Sequence, residues 1–430
     1  MKIAWLLLPL VVSLAAQSRA DGRESCTSAQ QATAVGQIAC ELAHALPPAQ
    51  APLRVTVRAI SSPLRMERAN ELAQRLARAV AGELGANARA EAASALAGGA
   101  RVDTLVLNGE LARDKFSVSA ELFRASGKFW ERFRPGERGA SERAHATRAL
   151  DAELASYLPP VPLVLTRIDK ANLEEPSVAL ACGDVDADGG LEIVTVGRRR
   201  VQLGRIASGR FQVLRSRAWS ELSDVAPSPL KDPIASASVE AAQRIRIGLS
   251  DRREAVVLDH ELALVARHAG VFPWPGAGCV PFVKGGLGET RARCEQKPRA
   301  DAGGPLDAIT GARLTRRDGS AWTVLVSRRP SAETSLELDG KRIQLDGRYG
   351  AQLALADLDS DGRPELISSL DTLDPASDAV VVSTIVGDKL KEAFRVPTPN
   401  GVYALGTCPS YDNLLSPLLV ATGNELWVLR

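Results

Sequence analysis

Between residues 53 and 158 the apolar positions switch between two periods. Leu53, Val55 and Val57 alternate with polar neighbours, which predicts a strand. Ser62-Pro63 reads as a helix start, and Leu72, Leu76, Val80 and Leu84 then recur every fourth residue beside Ala69, Ala73 and Ala77 until Gly85 ends the pattern. That spacing predicts one amphipathic helix, followed by a short alanine-rich helical stretch. Val102–Asn108 reads as a strand and Phe116, Val118, Ala120 and Leu122 as a second. Ser126-Gly127 is a turn into a third that carries Phe129 and Phe133. Leu150, Leu154 and Tyr157 mark a closing helix. The order β-α-α-β-β-β-α predicts a small α/β domain over 53–158. Pro159-Pro160-Val161-Pro162 disfavours both helix and ladder, so 159–162 is read as the linker. From 163 to 430 the pattern changes to short β-rich runs separated by Gly, Asp, Ser and Pro, which predicts a closed all-β architecture.

Ahead of these lies a different signal. Met1-Lys2 is a positive start, Ile3–Ala16 is almost wholly apolar, and Ser18-Arg19-Ala20 puts small residues where a signal peptidase reads. This predicts a secretory signal over 1–20 and an exported protein, periplasmic or extracellular. The apolar run is well short of the ~20 residues that span a bilayer, and no later stretch is long enough either, so no membrane span is expected. Arg23-Glu24-Ser25 before Cys26 does not fit a lipobox.

Export changes the reading of the six cysteines, because disulfides persist outside the cytoplasm. In the 21–52 segment Cys26 and Cys40 are spaced to pair, as are Cys279 and Cys294, each closing a loop of about 15 residues worth ~3 kcal/mol. Cys182 and Cys408 either pair with each other or remain buried thiols. No CxxC or Cys/His cluster suggests zinc.

The β half contains a repeat. Cys182-Gly183-Asp184-Val185-Asp186-Ala187-Asp188-Gly189-Gly190-Leu191-Glu192-Ile193-Val194 recurs as Ala356-Asp357-Leu358-Asp359-Ser360-Asp361-Gly362-Arg363-Pro364-Glu365-Leu366-Ile367, each copy after an Ala-Leu-Ala run and before another strand. Weaker echoes run from Gly248 to Val257, from Arg317 to Val324 and from Leu418 to Asn424. A unit returning every forty to seventy residues predicts a β-propeller, in which each blade needs its neighbours to bury both faces. Carboxylates at loop positions one, three and five turn toward one point, the glycine at six permits a sharp bend, and an acid at nine closes the shell. Such hard oxygen ligands suit calcium. Thr195 and Ser368 stand where an EF-hand needs glutamate, and the flanks are β-rich rather than helical, so the loops are not EF-hands.

At these residues the chain resembles the FG-GAP/VCBS repeat family of integrin-type propellers, over about 161–430. The resemblance implies calcium in the hairpin between the first two strands of a blade. Its ligands would be Asp184, Asp186, Asp188 and Glu192 in one loop and Asp357, Asp359, Asp361 and Glu365 in the other. The expected architecture is mainly β, a five- to seven-bladed propeller preceded by a small α/β domain. That front domain is similar to the periplasmic α/β domains of TolB and CsgG-type proteins, on Asp103-Thr104-Leu105-Val106-Leu107-Asn108-Gly109-Glu110 and Ala125-Ser126-Gly127-Lys128.

Charge and composition narrow the function. Fifty-three basic residues against fifty-one acidic ones leave +2, which does not call for a nucleic acid partner. His260-Glu261 begins like a zinc-protease motif, but Leu264 replaces the second histidine. GxSxG and GKS/GKT patterns are absent, and Arg198-Arg199-Arg200 reads as a solvated turn. Three readings remain. One is a non-catalytic scaffold that binds an envelope or extracellular protein, with calcium for stability. Another is a carbohydrate-binding propeller, which would repeat an aromatic at one blade position; Trp219, Trp274, Trp322 and Trp427 show none. The third is a hydrolase or lyase built in the central funnel from distant strands.

Overall fold

The computed structural model describes residues 26, 32–47, 52–64, 66, 68–91, 102–112, 114–125, 140–159, 161–223, 233, 235–240, 243–249, 251–252, 254–269, 308–316, 320–329, 331–386, 389–410 and 415–430. The expected signal segment 1–20, the Cys279–Cys294 pair, Trp274 and the strand expected at Phe129 and Phe133 lie outside the described residues. Two compact units make up the chain, one formed by 1–60, 73–109 and 117–148 and the other by 61–72, 110–116 and 149–430.

The front sheet begins with a helix, α1 (Ala34–Ala45), that the sequence reading did not include. Val35, Ile38, Ala39 and Leu42 fall on one face and are buried, and Cys40 on the same helix is disulfide-bonded to Cys26. Thr33 caps it, its hydroxyl accepting from the Gly36 amide at 3.2 Å. Thr33→Ala should therefore cost about 1 kcal/mol in denaturant unfolding. An unchanged midpoint would show that the cap contributes nothing.

Then come β1 (Leu53–Ser61), α2 (Ala69–Leu84), β2 (Ala88–Ala90), β3 (Asp103–Leu111), β4 (Lys115–Phe123), β5 (Glu142–Ala149) and the short α3 (Ala152–Ala155). The five strands are ordered β2-β1-β3-β4-β5. Two expectations change. Helix α2 starts at Ala69 rather than near Ser62, because the Ser62 hydroxyl accepts from the Leu64 amide in a local turn. The alanine-rich stretch opens as strand β2, since Ala88 and Ala90 find parallel ladder partners in Leu53 and Val55, and pairing overrides alanine's helix preference. Strand β5, which the sequence reading did not include, is polar, with Ala146 its one buried residue.

The other unit is a five-bladed β-propeller. Strand β6 (Arg167–Asn172) comes first in sequence. Blade 1 is β7 (Ala179–Gly183), β8 (Glu192–Val196), β9 (Arg200–Ala207) and β10 (Arg210–Ala218). Blade 2 is β11 (Ala235–Glu240), β12 (Arg244–Leu249), β13 (Glu254–Leu258) and β14 (Leu264–Ala269). Blade 3 is β15 (Ala308–Thr315), β16 (Ala321–Arg328), β17 (Thr334–Leu338) and β18 (Lys341–Gln344). Blade 4 is β19 (Tyr349–Ala356), β20 (Glu365–Leu370), β21 (Ala379–Val386) and β22 (Lys389–Pro397). Blade 5 takes β23 (Ala404–Thr407), β24 (Leu418–Thr422) and β25 (Glu425–Leu429) from the end of the sequence and completes its sheet with β6. The strands within each blade pair antiparallel. The expected five to seven blades resolve to five.

Burial explains why the blades need one another. Val194, Val196 and Leu203 of blade 1 share a core with Ile245, Ile247 and Val256 of blade 2. Ile367 and Val380 of blade 4 likewise pack with Leu418 and Val420 of blade 5, where Val161, Leu163 and Leu165 join them. Ring closure rests on β6. Trp427 lies opposite Lys170, and the Thr166 and Arg430 amides each donate to the other's carbonyl at 2.8 Å. The closing seam is also covalent. Cys182, on the innermost strand of blade 1, is disulfide-bonded to Cys408, just after the innermost strand of blade 5, with Cα atoms 4.8 Å apart.

Candidate metal centre

Both acidic repeats occupy the same structural place, the connection from the first to the second strand, in blades 1 and 4. The echo at 248–257 instead joins the second and third strands of blade 2, and that at 418–424 joins the second and third of blade 5, so neither is a decayed copy of the acidic loop. The resemblance in each was a buried strand flanking a turn, which every hairpin shares. The echo at 317–324 does begin in the corresponding first-to-second connection, but 317–319 lie outside the described residues.

The two loops have one backbone. Position two is apolar and fully buried, as Val185 and Leu358, and pins the loop to the core. Position nine opens the second strand as a buried glutamate, Glu192 or Glu365, whose Oε2 accepts from the position-two amide at 2.8 Å in both blades. The position-one carboxylate accepts from the glycine amide at position six, Asp184 from Gly189 at 3.1 Å and Asp357 from Gly362 at 2.8 Å. Those glycines have φ of +83° and +82°, the left-handed region in which a Cβ is strained.

Oxygen atoms of Asp357, Asp359 and Asp361 gather within 4.8 Å of one another in blade 4. Glu365 stands below them, one per cent exposed. Burial, reinforced by the neighbouring carboxylates, pushes Glu365 up to about 9, Asp357 to about 7 and Asp359 to about 6. Burial and the neighbouring carboxylates thus oppose the joint ionisation of Glu365, Asp357 and Asp359, a cost that a bound cation would relieve. Carboxylate oxygens converging at this density are a donor set that fits a hard divalent cation.

Blade 1 gathers Asp184, Asp186 and Glu192 in the same way, and one oxygen of Asp184 is buried without a hydrogen-bond donor. Here, however, a cation from the chain itself is present. Arg205, on β9, donates from Nε to Glu192 Oε1 at 2.6 Å and from Nη2 to Asp188 Oδ2 at 2.8 Å; Nη2 also pairs with Glu192. Asp186 Oδ2 lies 3.6 Å from the same nitrogen. These bonds hold Asp188 below the ordinary carboxylate range and Arg205 above the ordinary guanidinium range. Asp188 is turned to the arginine rather than into the cluster. Sequence reasoning missed Arg205 because nothing in its neighbourhood sets it apart from the chain's many other arginines.

The remaining candidates fall elsewhere. Arg198 and Arg199 lie in the turn between β8 and β9 and Arg200 opens β9, with Glu175 accepting from the Arg199 and Arg200 amides. Trp219 follows the outermost strand of blade 1, Trp322 sits on the second strand of blade 3 and Trp427 on the third strand of blade 5, three different blade positions. A cavity of about 260 Å³ lies on the axis, lined by the innermost strands at 178–182, 235–239, 308–312, 351–355 and 404–407. Its walls are Ala, Val, Leu, Ile, Gly, Ser and Thr with Gln352 and the disulfide-bonded Cys182, and carry no ionisable side chain.

No family model matches this chain, and no curated protein matches it. Among solved structures it is similar to glutaminyl cyclase of Myxococcus xanthus, at 10% identity and a TM-score of 0.34, over 63% of this chain and 98% of that one. It is similar to a gluconolactonase of Xanthomonas campestris at 17% identity and a TM-score of 0.35, over 63% and 94%. A soluble aldose sugar dehydrogenase of Escherichia coli in its apo form aligns at 14% identity and a TM-score of 0.34, over 62% and 99%. These are similarities of strand arrangement, and the five-bladed ring itself stands on the sheet order and register above.

Proposed function

We propose that this chain is an exported, non-catalytic, calcium-binding propeller that acts as a scaffold for another envelope or extracellular protein. One observation carries the calcium reading. The blade 4 loop converges three aspartates beside buried Glu365, and burial with mutual repulsion opposes the joint ionisation of Glu365, Asp357 and Asp359 in the absence of a cation. Its position in the first hairpin of a blade and its DxDxDG spacing fit the FG-GAP/VCBS resemblance. The role given to the ion is structural: it ties the first and second strands of blade 4 together at the loop. Two disulfides among the described residues suit an exported protein.

Calcium titration of the purified chain, followed by isothermal calorimetry, tests this. Binding is expected with Kd of about 10⁻⁴ to 10⁻³ M, as in extracellular calcium modules. Asp357→Asn combined with Asp359→Asn keeps the loop's shape, removes two charges and should abolish the heat. Equal heats from parent and variant would place any calcium elsewhere.

A further inference from the structure

We propose that Arg205 is a built-in replacement for the metal ion in blade 1, so that of the two acidic loops only the one in blade 4 loads calcium. The inference rests on the calcium reading of blade 4 and adds which loop is competent and which residue decides it.

Strand register makes the two blades comparable atom for atom. In blade 1, Ile193 lies opposite Gly204, which sets Arg205 beside Glu192. In blade 4, Glu365 lies opposite Thr384. Threonine thus holds in blade 4 the place arginine holds in blade 1. A second difference accompanies the first. Loop position seven is Gly190 in blade 1, and a Cβ there would come 2.9 Å from Arg205 Nη2 and 3.0 Å from Cζ. In blade 4 position seven is Arg363, whose side chain is 63% exposed with Nε 3.9 Å from Asp361. Position seven is thus a glycine where Arg205 crosses the loop, whereas in blade 4 it carries a side chain that lies largely in solvent at the loop's edge.

The guanidinium meets the electrostatic need of the loop. Its Nε and Nη2 reach Glu192, which is fully buried, and Nη2 also reaches Asp188. Arginine is always charged, and its planar donor fork matches carboxylates. A calcium ion needs six to eight oxygens at about 2.3–2.6 Å. The Glu192 and Asp188 oxygens that would face an ion already accept from Arg205, and two cations a few ångströms apart repel.

The test counts calcium ions per folded chain by equilibrium dialysis and elemental analysis at saturating calcium, with circular dichroism to verify folding. The parent should bind one ion. Arg205→Thr, which copies blade 4, should bind two, and Arg205→Lys should stay at one because the ammonium remains. The reverse transplant, Arg363→Gly with Thr384→Arg, should bring the count to zero and keeps the idea testable if Arg205→Thr does not fold. Two ions in the parent, or one in folded Arg205→Thr, would overturn the role of Arg205 and leave the calcium reading of blade 4 intact. No ion in the parent would overturn that reading and this inference with it.

Discussion

Replacing Cys182 and Cys408 together by alanine should destabilise the propeller by about 5 kcal/mol. The bond joins residues 226 apart in sequence, and the chain-entropy cost of opening a loop of that length is about this large. Its place adds to the effect. Blade 5 is assembled from both ends of the propeller, and without the disulfide the ring is shut by the β25–β6 ladder and the packing around it. Alanine is the informative replacement because both sulfurs are buried, and serine would add two hydroxyls without partners. Oxidised parent and double variant, compared by denaturant unfolding, should differ in midpoint at constant slope. In thermal unfolding the loss corresponds to roughly 10–20 °C. Reducing the parent should in addition destabilise the front unit, where Cys26–Cys40 closes a loop worth ~3 kcal/mol. A double variant within about 1 kcal/mol of the parent would mean that the seam is held by packing alone.

In chelator the protein should lose stability as pH rises, opposite to the usual acid denaturation. Burial holds Glu365 at about 9, Asp357 at about 7 and Asp359 at about 6 in the folded metal-free chain, all above their unfolded values. The folded state therefore binds these protons more tightly than the unfolded state does. That contribution is fully present below the unfolded values, near pH 4, and is lost as pH climbs through 6, 7 and 9. Each unit of displacement is worth about 1.4 kcal/mol, so the three acids together amount to several kcal/mol across the range. The exposed carboxylates held low by arginine, such as Asp188, act in a lower window and leave this one alone. Glu365→Gln should remove about half of the slope, because the amide can still accept from the Leu358 amide and carries no charge. Unfolding followed in chelator between about pH 5 and about pH 8 reads the effect directly. Stability that is flat or rising over that interval would show that the blade 4 acids are solvated.

The legible part of this protein was its periodic part. Leu72, Leu76 and Val80 announced α2, and the alternation from Phe116 to Leu122 announced β4, because one face of each is buried. The acid spacing placed both loops because a tight turn and convergent carboxylates leave a short local signature. What escaped is what tertiary pairing decides. Strand β6 reads Arg-Ile-Asp-Lys-Ala-Asn with Ala171 alone fully buried, and its role as the closing strand comes from its partners in β25. Strand β5 is silent for the same reason. Arg205 is the instructive case. It and Thr384 are equivalent only in register, since a three-residue turn joins β8 to β9 whereas 371–378 intervene between β20 and β21. No fixed spacing from the acidic loop finds both. Helix α1 is different: Val35, Ile38, Ala39 and Leu42 carried the pattern openly, within a segment read for its cysteines alone.

The central claim is that calcium staples the first hairpin of blade 4, and thermal unfolding with and without calcium tests it most directly. At about 10 mM calcium, a site with Kd of ~10⁻⁴ to 10⁻³ M contributes about 1.4–2.7 kcal/mol by mass action, a rise of a few degrees over chelator near neutral pH. The rise is expected in the parent, lost in Asp359→Ala and kept in Asp186→Ala. A parent that melts at one temperature in calcium and in chelator, or an Asp359→Ala variant that keeps the rise, would contradict it.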